Sequence, residues 1–408
     1  MNINFQRKID RYLGSMICFF LSLIQVKKKT ASDFIPDKIL VILLSEMGSL
    51  ILARPMFQEI KNRYPGASIN VLLFKQNKEC LELLDMISPL NIHTVSNKSL
   101  TSLISSSLIA LKRLRKIGID TVIDCELFSR ISSIFSTLTG APLRSGFHQY
   151  TQEGLYRGNL VNRKVIYNPY IHISRQFINL VIALESDSIP HVKTLARNEN
   201  IEIPIRKFKK QDVESFSNRF KYDFPVMDEK EIVLVYPDGG LLPERAWPEE
   251  YYCRVIKDLI KNGYAVGIIG LKEQKDIAGR ILNECKNPFC IDLTGYTRTV
   301  KELMILFHFA SLLITNDGGP GHFASMTPVP SIVLYGPETP VLYGTLDKDG
   351  VNMYSQMSCS PCLTAYNQRH SPCDGDNQCL KNILPEQVLS TVYGILEKSN
   401  SDFKANIE

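Results

Sequence analysis

The chemically most suggestive stretch is LLITNDGGPGHFASMTPVPSIVLYGP, residues 312–337. An apolar run ends at Asn316, Asp317-Gly318-Gly319-Pro320-Gly321 makes a turn, and His322 lies in the opening of a helix. The first N–H groups of a helix lack intrahelical partners, and glycines let an anion approach that backbone, so the pattern suits a phosphate. An ordinary tight βα loop would carry the same glycines, and the turn is neither G-x-G-x-x-G nor a Walker motif. A second group is Cys359-Ser-Pro-Cys362 with Cys373 and Cys379. Four thiols in a loop match tetrahedral zinc, local disulfides or a Cys-rich lid, and a cytosolic setting disfavours the disulfides. No metal is assigned there. Asp374, Asp376 and Asn377 hint at calcium without a complete EF-hand pattern. Cys18, Cys80, Cys125, Cys253, Cys285 and Cys290 read as core filler. H-E-x-x-H and G-x-S-x-G motifs are absent.

Alternating strand and helix signals must position these groups. KILVILL (38–44), SINVLLF (68–74), NIHTV (91–95) and DTVIDC (120–125) read as strands, with helical patterns to Arg63 and over 99–116. A polar stretch from about 187 to 230, with Pro190, Pro204 and Pro225, reads as an irregular interdomain connection. The alternation then restarts with EIVLVY (231–236), YAVGIIG (264–270), FCIDL (289–293), SLLITN (311–316) and SIVLYG (331–336). Helices are expected between them near 249–262, 273–286 and 299–309. The class is therefore α/β, with two doubly wound domains expected to face a central cleft at the carboxyl ends of both sheets. The expected divisions are 1–30 as an N-terminal amphipathic helix, 36–215 and 230–385 as the two domains, and 386–408 as a C-terminal helix and tail.

The chain has 408 residues, 44% hydrophobic and 22% charged, which excludes a disordered or fibrous protein. Its net charge of +5 resides in the first 30 residues, where Arg7, Lys8, Arg11, Lys27, Lys28 and Lys29 face Asp10 alone. The remainder is formally neutral, which excludes a nucleic-acid-binding body with a diffuse basic field. Between Arg11 and Lys27 no residue is charged, but the run is too short and too polar for a span. Lys27-Lys28-Lys29 also stands where a signal peptide would be cleaved. Arg7, Arg11, Ser15, Cys18, Ser22, Gln25 and Lys29 form one polar stripe at helical spacing; Ile9, Leu13, Met16, Ile17, Phe19, Phe20, Leu21, Leu23 and Ile24 fill the rest. A helix lying in an anionic membrane surface accounts for both features. Packing on the protein's own surface, or on a second copy, is the alternative.

The D-x-G-x-x-H-x-A of the turn, followed by a strand ending Tyr-Gly-Pro, resembles glycosyltransferase family 9, the ADP-heptose:lipopolysaccharide heptosyltransferases. Arg245-Ala246-Trp247-Pro248 is similar to the family's basic-x-Trp-Pro block, and Asp292-Leu293-Thr294-Gly295 with Glu302-Leu303 to its D-L-x-G…E-L segment. Gly48, Pro55, Lys61 and Tyr64-Pro65-Gly66-Ala67 match its first βα unit, so the resemblance covers about 38–390. It implies a GT-B fold with the acceptor on the first domain and a nucleotide-sugar donor, such as ADP-heptose, on the second. It places Asp317, Gly318, Gly319, Gly321 and His322 on the donor turn and Arg245 on the diphosphate. Glu273, Gln274 or Asp276 would hold the ribose. The family's Gly-Asp, whose Asp is proposed as catalytic base, is Gly48-Ser49 here, and a serine hydroxyl is no base at neutral pH. Glu46 in the same turn is the substitute carboxylate.

The expected reaction is thus an inverting, metal-independent transfer to a lipid-linked glycan such as lipopolysaccharide core. It needs no cofactor beyond the donor substrate and takes place on the cytoplasmic, inner face of the cell membrane. A catalytically silent nucleotide-sugar-binding or scaffold protein is the alternative reading, with Ser49 in its favour. A sugar-nucleotide epimerase of the same fold is a third, which the N-terminal helix makes less natural.

Overall fold

The computed structural model describes residues 3–24, 34–44, 46–148, 155–186, 203–228, 230–240, 242–365, 371, 373 and 375–405. The chain divides after residue 200 into two units, each built on one parallel six-stranded sheet.

In the first unit the strands are β1 (Lys38–Ile42), β2 (Ser68–Phe74), β3 (Ile92–Val95), β4 (Thr121–Asp124), β5 (Leu143–Phe147) and β6 (Arg163–Val165). Their spatial order is β3-β2-β1-β4-β5-β6. Ile39 of β1 pairs with Ile69 of β2 on one side and Thr121 of β4 on the other. The second unit holds β7 (Ile232–Tyr236), β8 (Ala265–Gly270), β9 (Cys290–Thr294), β10 (Leu312–Asn316), β11 (Ser331–Tyr335) and β12 (Val351–Tyr354). Their order, β12-β11-β10-β7-β8-β9, is the same doubly wound pattern. The strand order reverses between β1 and β4 and between β7 and β10, and ligands of such sheets bind at the carboxyl side of that switch.

Helices cover both faces, so the central strands are buried along their length and read as unbroken apolar runs. Leu40, Ile42, Leu44, Leu72 and Val122 pack with Leu114 and Phe135 in the first core. Val233, Val235, Ile268, Ile314 and Leu334 pack with Trp247, Tyr252, Val388 and Leu396 in the second. Ser99 caps the helix Leu100–Ile117, which ends at Gly118 in the left-handed region with φ 77°. The helical pattern after Gly48 is two helices, Met47–Leu52 and Arg54–Arg63, because Pro55 sits in the first turn of the second.

The structure corrects two expectations. The stretch read as an irregular connection contains the helix Lys210–Asp223, which packs on the second unit. Phe216 and Phe220, four residues apart, contact Tyr296, and Phe216 also stacks on Phe309. Arg219 on the same face pairs with Glu302 at 3.0 Å. An aromatic i,i+4 stripe outweighed the polar composition. Strands β5, β6 and β12 were not expected: LRSGF, RKV and VNMY are short and mix charge or glycine into the pattern. Residues 187–202 of the expected connection lie outside the described residues.

The N-terminal segment is helical over Ile3–Ile9 and Ser15–Ile24, joined by a π turn over Asp10–Gly14. It lies on the first unit through its small and polar edge. The Asp10 carboxylate accepts from the backbone N–H groups of Arg130 and Ile131 at 3.0 and 2.9 Å. It thereby caps the helix Arg130–Leu138, whose own Ser129 does not. A Cβ on Gly14 would stand 2.7 Å from that of Arg130. Cys18 is fully buried, and the Ser22 hydroxyl accepts from the Asn159 N–H at 2.9 Å. The apolar arc points the other way: Tyr12, Phe20, Leu23 and Ile24 are 70%, 58%, 67% and 74% exposed. Gln25, Lys27, Lys28 and Lys29 lie outside the described residues. Among the described residues no helix is long and apolar enough to cross a membrane.

Candidate donor and acceptor sites at the two switch points

In the second unit, Asn316 ends β10 and is buried. Its Oδ1 accepts from the Trp247 N–H at 3.1 Å and the Tyr252 hydroxyl at 3.0 Å, while its Nδ2 donates to the Asp238 carbonyl at 3.1 Å. One amide thus ties the end of β10 to the loop after β7. Trp247 is fixed further by its indole N–H on the Ile383 carbonyl at 2.9 Å and by edge-on contacts to Tyr251 and Tyr252. With Trp247 sunk in the core, Arg245, two residues earlier, is held over the switch point.

There its Nε lies 3.2 Å from Asp317 Oδ2, and its Nη2 lies 3.4 Å from Glu338 Oε1. Asp317 follows β10 and Glu338 follows β11, so three neighbouring strand ends contribute one charged group each. Both carboxylates are nearly buried and the guanidinium is only slightly exposed. Ion pairs so shielded keep much of their strength. Tyr335 lies in the same field; burial pushes its phenol up, and it donates to the Tyr343 carbonyl at 3.1 Å.

The turn itself is a short helix, Gly319–Ala324, with Pro320 in its first turn. Gly321 is required by packing: a Cβ there would meet Val333 at 3.0 Å and Thr345 at 3.3 Å. Gly318 is different. Its backbone is extended (φ 172°), and a Cβ would have nothing nearer than 3.9 Å. The protein's own atoms do not demand a glycine there. His322 is buried within the helix.

The structure brings together Arg245 and Asp317 and adds Glu338, which sequence reasoning missed. The signal was one residue past the Tyr335-Gly336-Pro337 block. Glu273 and Asp276 are exposed after β8, two strands from Asp317 along the same sheet edge. Gln274 is engaged locally: its Oε1 accepts from the Leu271 N–H at 2.6 Å and its Nε2 donates to the Tyr236 hydroxyl at 3.1 Å.

In the first unit, Leu44 is clamped from both sides. Its N–H donates to Glu126 Oε1 at 2.6 Å, and its carbonyl accepts from Asn77 Nδ2 at 2.8 Å. Glu46, half-buried two residues on, precedes the helix Met47–Leu52 with an extended backbone and does not cap it with its side chain. Ser49 is half-buried in the first turn and Gly48 is buried. Across the switch, at the end of β4, stands a pair the sequence did not reveal. Arg157 and Asp124 form a fully buried ion pair. Arg157 also donates to the Ser133 hydroxyl and the Glu126 carbonyl, and Asp124 accepts from Ser132. Burial pushes the Asp124 carboxyl up, against the opposing pull of Arg157 and Ser132.

A family model for glycosyltransferase family 9 (heptosyltransferase) matches residues 109–371. The chain belongs to that family. Lipopolysaccharide heptosyltransferase 2 of Salmonella typhimurium is 22% identical over 375 residues, covering 88% of this chain and 99% of the relative. Lipooligosaccharide heptosyltransferase 2 of Haemophilus ducreyi is 24% identical over 320 residues, 77% and 87% of the two chains. The structure of ADP-heptose LPS heptosyltransferase II from E. coli superposes with a TM-score of 0.68 at 20% identity, covering 89% of this chain and 99% of that one. A family 9 glycosyltransferase from Veillonella parvula gives 0.70 at 20%, covering 90% and 100%. The expected GT-B-like architecture of two doubly wound units is therefore the observed one, and the glycosyltransferase assignment stands on the family match.

Proposed function

We propose that this family 9 glycosyltransferase moves a heptose from ADP-heptose to a lipid-linked saccharide of the lipopolysaccharide-core type, with inversion at the anomeric carbon. The observation that carries the donor assignment is the Arg245–Asp317–Glu338 cluster at the β7/β10 switch, beside a turn with open space at Gly318. The names of the relatives supply the sugar and the acceptor class. Arg245 binds the diphosphate, and the backbone N–H groups of 318–322 share its charge. His322 contributes to that turn, and Glu273 or Asp276 holds the ribose. On the first unit, Glu46 takes the proton of the acceptor hydroxyl as its oxygen bonds the anomeric carbon. The bond from that carbon to the diphosphate breaks, and ADP leaves with the electron pair. Ser49 lies three residues on, in the first turn of the helix Met47–Leu52.

The test pairs two variants. Arg245→Ala should lower ADP-heptose affinity and turnover together, by about 1.5–3 kcal/mol. Glu46→Gln should leave donor affinity intact and slow transfer by a factor of about 10²–10⁴. Full transfer by Glu46→Gln, with Ser49→Asp altering the rate, removes Glu46 as base. A wild type that binds ADP-heptose and transfers to no lipid-linked acceptor supports the silent reading instead.

The N-terminal helix adds the site of action, an anionic inner membrane surface on its cytoplasmic face. Its docked polar edge and outward apolar arc support that reading, as do Arg7, Lys8 and Arg11 around it. Removing residues 1–30 would also remove the Asp10 cap, so Phe20→Gln with Leu23→Gln is the cleaner variant. It should keep its fold and lose flotation with anionic vesicles. Undiminished flotation places the anchor elsewhere.

A further inference from the structure

One helix of the first unit is apolar on both faces. Leu100–Ile117 buries Ala110 and Leu114 in the core under the sheet, as a crossover helix must. Its outer surface still carries Leu100, Ile104 and Leu108, a row at steps of four, and Ile109 beside them. Leu108 and Ile109 are 63% and 70% exposed. Leu90, itself exposed, adjoins the row, because the Arg113 guanidinium, one turn beyond Ile109, donates to its carbonyl at 3.1 Å. The last turns add the exposed cations Lys112, Arg113, Arg115 and Lys116. Arg113 and Arg115 bond only neutral carbonyls, those of Leu90 and Leu138. From Met86 to Ile119 the chain has no acidic residue, and Asp120 beyond it is committed to the Asp37 and Lys38 N–H groups at 3.1 and 2.8 Å. A solvated helix face usually mixes both signs of charge, and this one is apolar and cationic.

We propose that the outer face of Leu100–Ile117 is a second lipid-contacting surface, seated on the anionic phospholipids of a bilayer. The proposal rests on the reading above that the N-terminal segment lies on such a surface. Helices Leu100–Ile117 and Arg130–Leu138 lie on one face of the sheet: Ala110, Leu114 and Phe135 share a core, and Arg115 Nε donates to the Leu138 carbonyl at 2.7 Å. The N-terminal segment rests on Arg130–Leu138 in turn, through Asp10 and Gly14. The outward apolar arc of that segment and the outward row of Leu100–Ile117 therefore belong to the same side of the first unit. Charge selects the occupant. Anionic headgroups take the cations of the last turns while the leucines and isoleucines enter the boundary with the acyl chains. A second copy suits the face poorly, since a two-fold contact would set these cations against their own equivalents with no carboxylate on the helix to answer them. A single amphipathic helix lets the unit roll on the membrane, and two contacts on one side fix its tilt. The carboxyl edge of the sheet, with Glu46, is then held at one height above the headgroups, where a lipid-linked acceptor presents its sugar.

The experiment measures partitioning of the full-length chain onto vesicles of phosphatidylcholine with phosphatidylglycerol at low salt. Lys112→Gln with Lys116→Gln should lower the partition coefficient about 30-fold, at about fivefold per cation, and the loss should shrink as salt rises. Leu108→Gln with Ile109→Gln should lower it at least about tenfold whatever the salt. Lys261→Gln with Lys286→Gln removes the same charge from exposed positions of the second unit and should change it less than about twofold. Leu108→Trp locates the contact: brominated acyl chains should quench its emission and leave that of buried Trp247 alone. This readout decides even if a glutamine variant fails to fold. Helix variants that bind like the wild type, or an unquenched Leu108→Trp on bound protein, overturn this inference and leave the N-terminal anchor standing. A wild type without affinity for these vesicles removes both. Equal loss in the second-unit pair reduces the effect to net charge and also overturns it. A dimer in solution that Leu108→Gln with Ile109→Gln dissociates gives the face to a second copy instead.

Discussion

The two units share one strand order and use its switch point differently. Between β1 and β4 the space is filled by the protein itself: Glu126 bonds the Leu44 N–H, and Arg157 with Asp124 forms a fully buried pair tied to Ser132 and Ser133. Between β7 and β10, Asn316 does the internal tying, and the charged groups Arg245, Asp317 and Glu338 gather at the strand ends beside an open position at Gly318. The Arg157 guanidinium has no exposure and is committed to the fold, whereas that of Arg245 keeps a small exposed part at the edge of its two carboxylates. The same topology thus gathers a charged cluster at one switch point, proposed above as part of the donor site, and at the other a buried network beside the turn that holds Glu46.

Breaking the buried pair should have the largest effect. Arg157→Ala leaves Asp124 buried without its counter-charge and should cost the first unit about 3–5 kcal/mol in urea unfolding. A loss below about 1 kcal/mol would mean that the pair contributes little to the stability of the first unit. Against it, Arg245→Ala should cost affinity with little stability, and a reversal of the two phenotypes would dissolve the contrast.

Acid should separate the units next. His93 and His148, both in the first unit, are brought down to about 4 by burial, with Arg113 acting on the first and Lys164 and Arg157 on the second. Between about pH 6.5 and 4 the unfolded chain binds protons that the folded one refuses, so stability falls as pH falls. The loss reaches about 3 kcal/mol per histidine at the low end. In the second unit, burial lowers His308 in the same direction. Trp247, the sole tryptophan, reports the second unit, so far-UV circular dichroism should begin to fall before its fluorescence changes. Coincident transitions would argue that the two units share one acid response.

The smallest effects distinguish two glycines of one turn. Gly321→Ala crowds Val333 and Thr345 and should cost about 1–3 kcal/mol of stability. Gly318→Ala should leave the melting temperature in place and weaken ADP-heptose binding about tenfold, near 1.4 kcal/mol. If Gly318→Ala binds normally, the open space beside it is not where the donor lies.

Much of this molecule follows from local sequence. The apolar runs of β1, β2, β7, β8, β10 and β11 announce buried parallel strands, because such strands are covered on both faces and tolerate few polar residues. The Gly-rich turn and the Cys-x-x-Cys were equally visible, since each depends on residues close together in the chain, whereas Arg245 was marked only by the resemblance of its block to the family's. What the sequence could not determine is which distant groups meet. Glu338 reaches Arg245 across 93 positions, Arg157 reaches Asp124 across 33, and Asp10 caps a helix 120 residues away. The N-terminal stripe shows the same limit. Periodicity established that one edge of the helix is polar and the rest apolar, but only the docking of Asp10, Gly14, Cys18 and Ser22 decided that the polar edge faces the protein. Periodicity records a difference between faces, and it takes a neighbouring surface with matching donors and a close-fitting backbone to decide which face is buried.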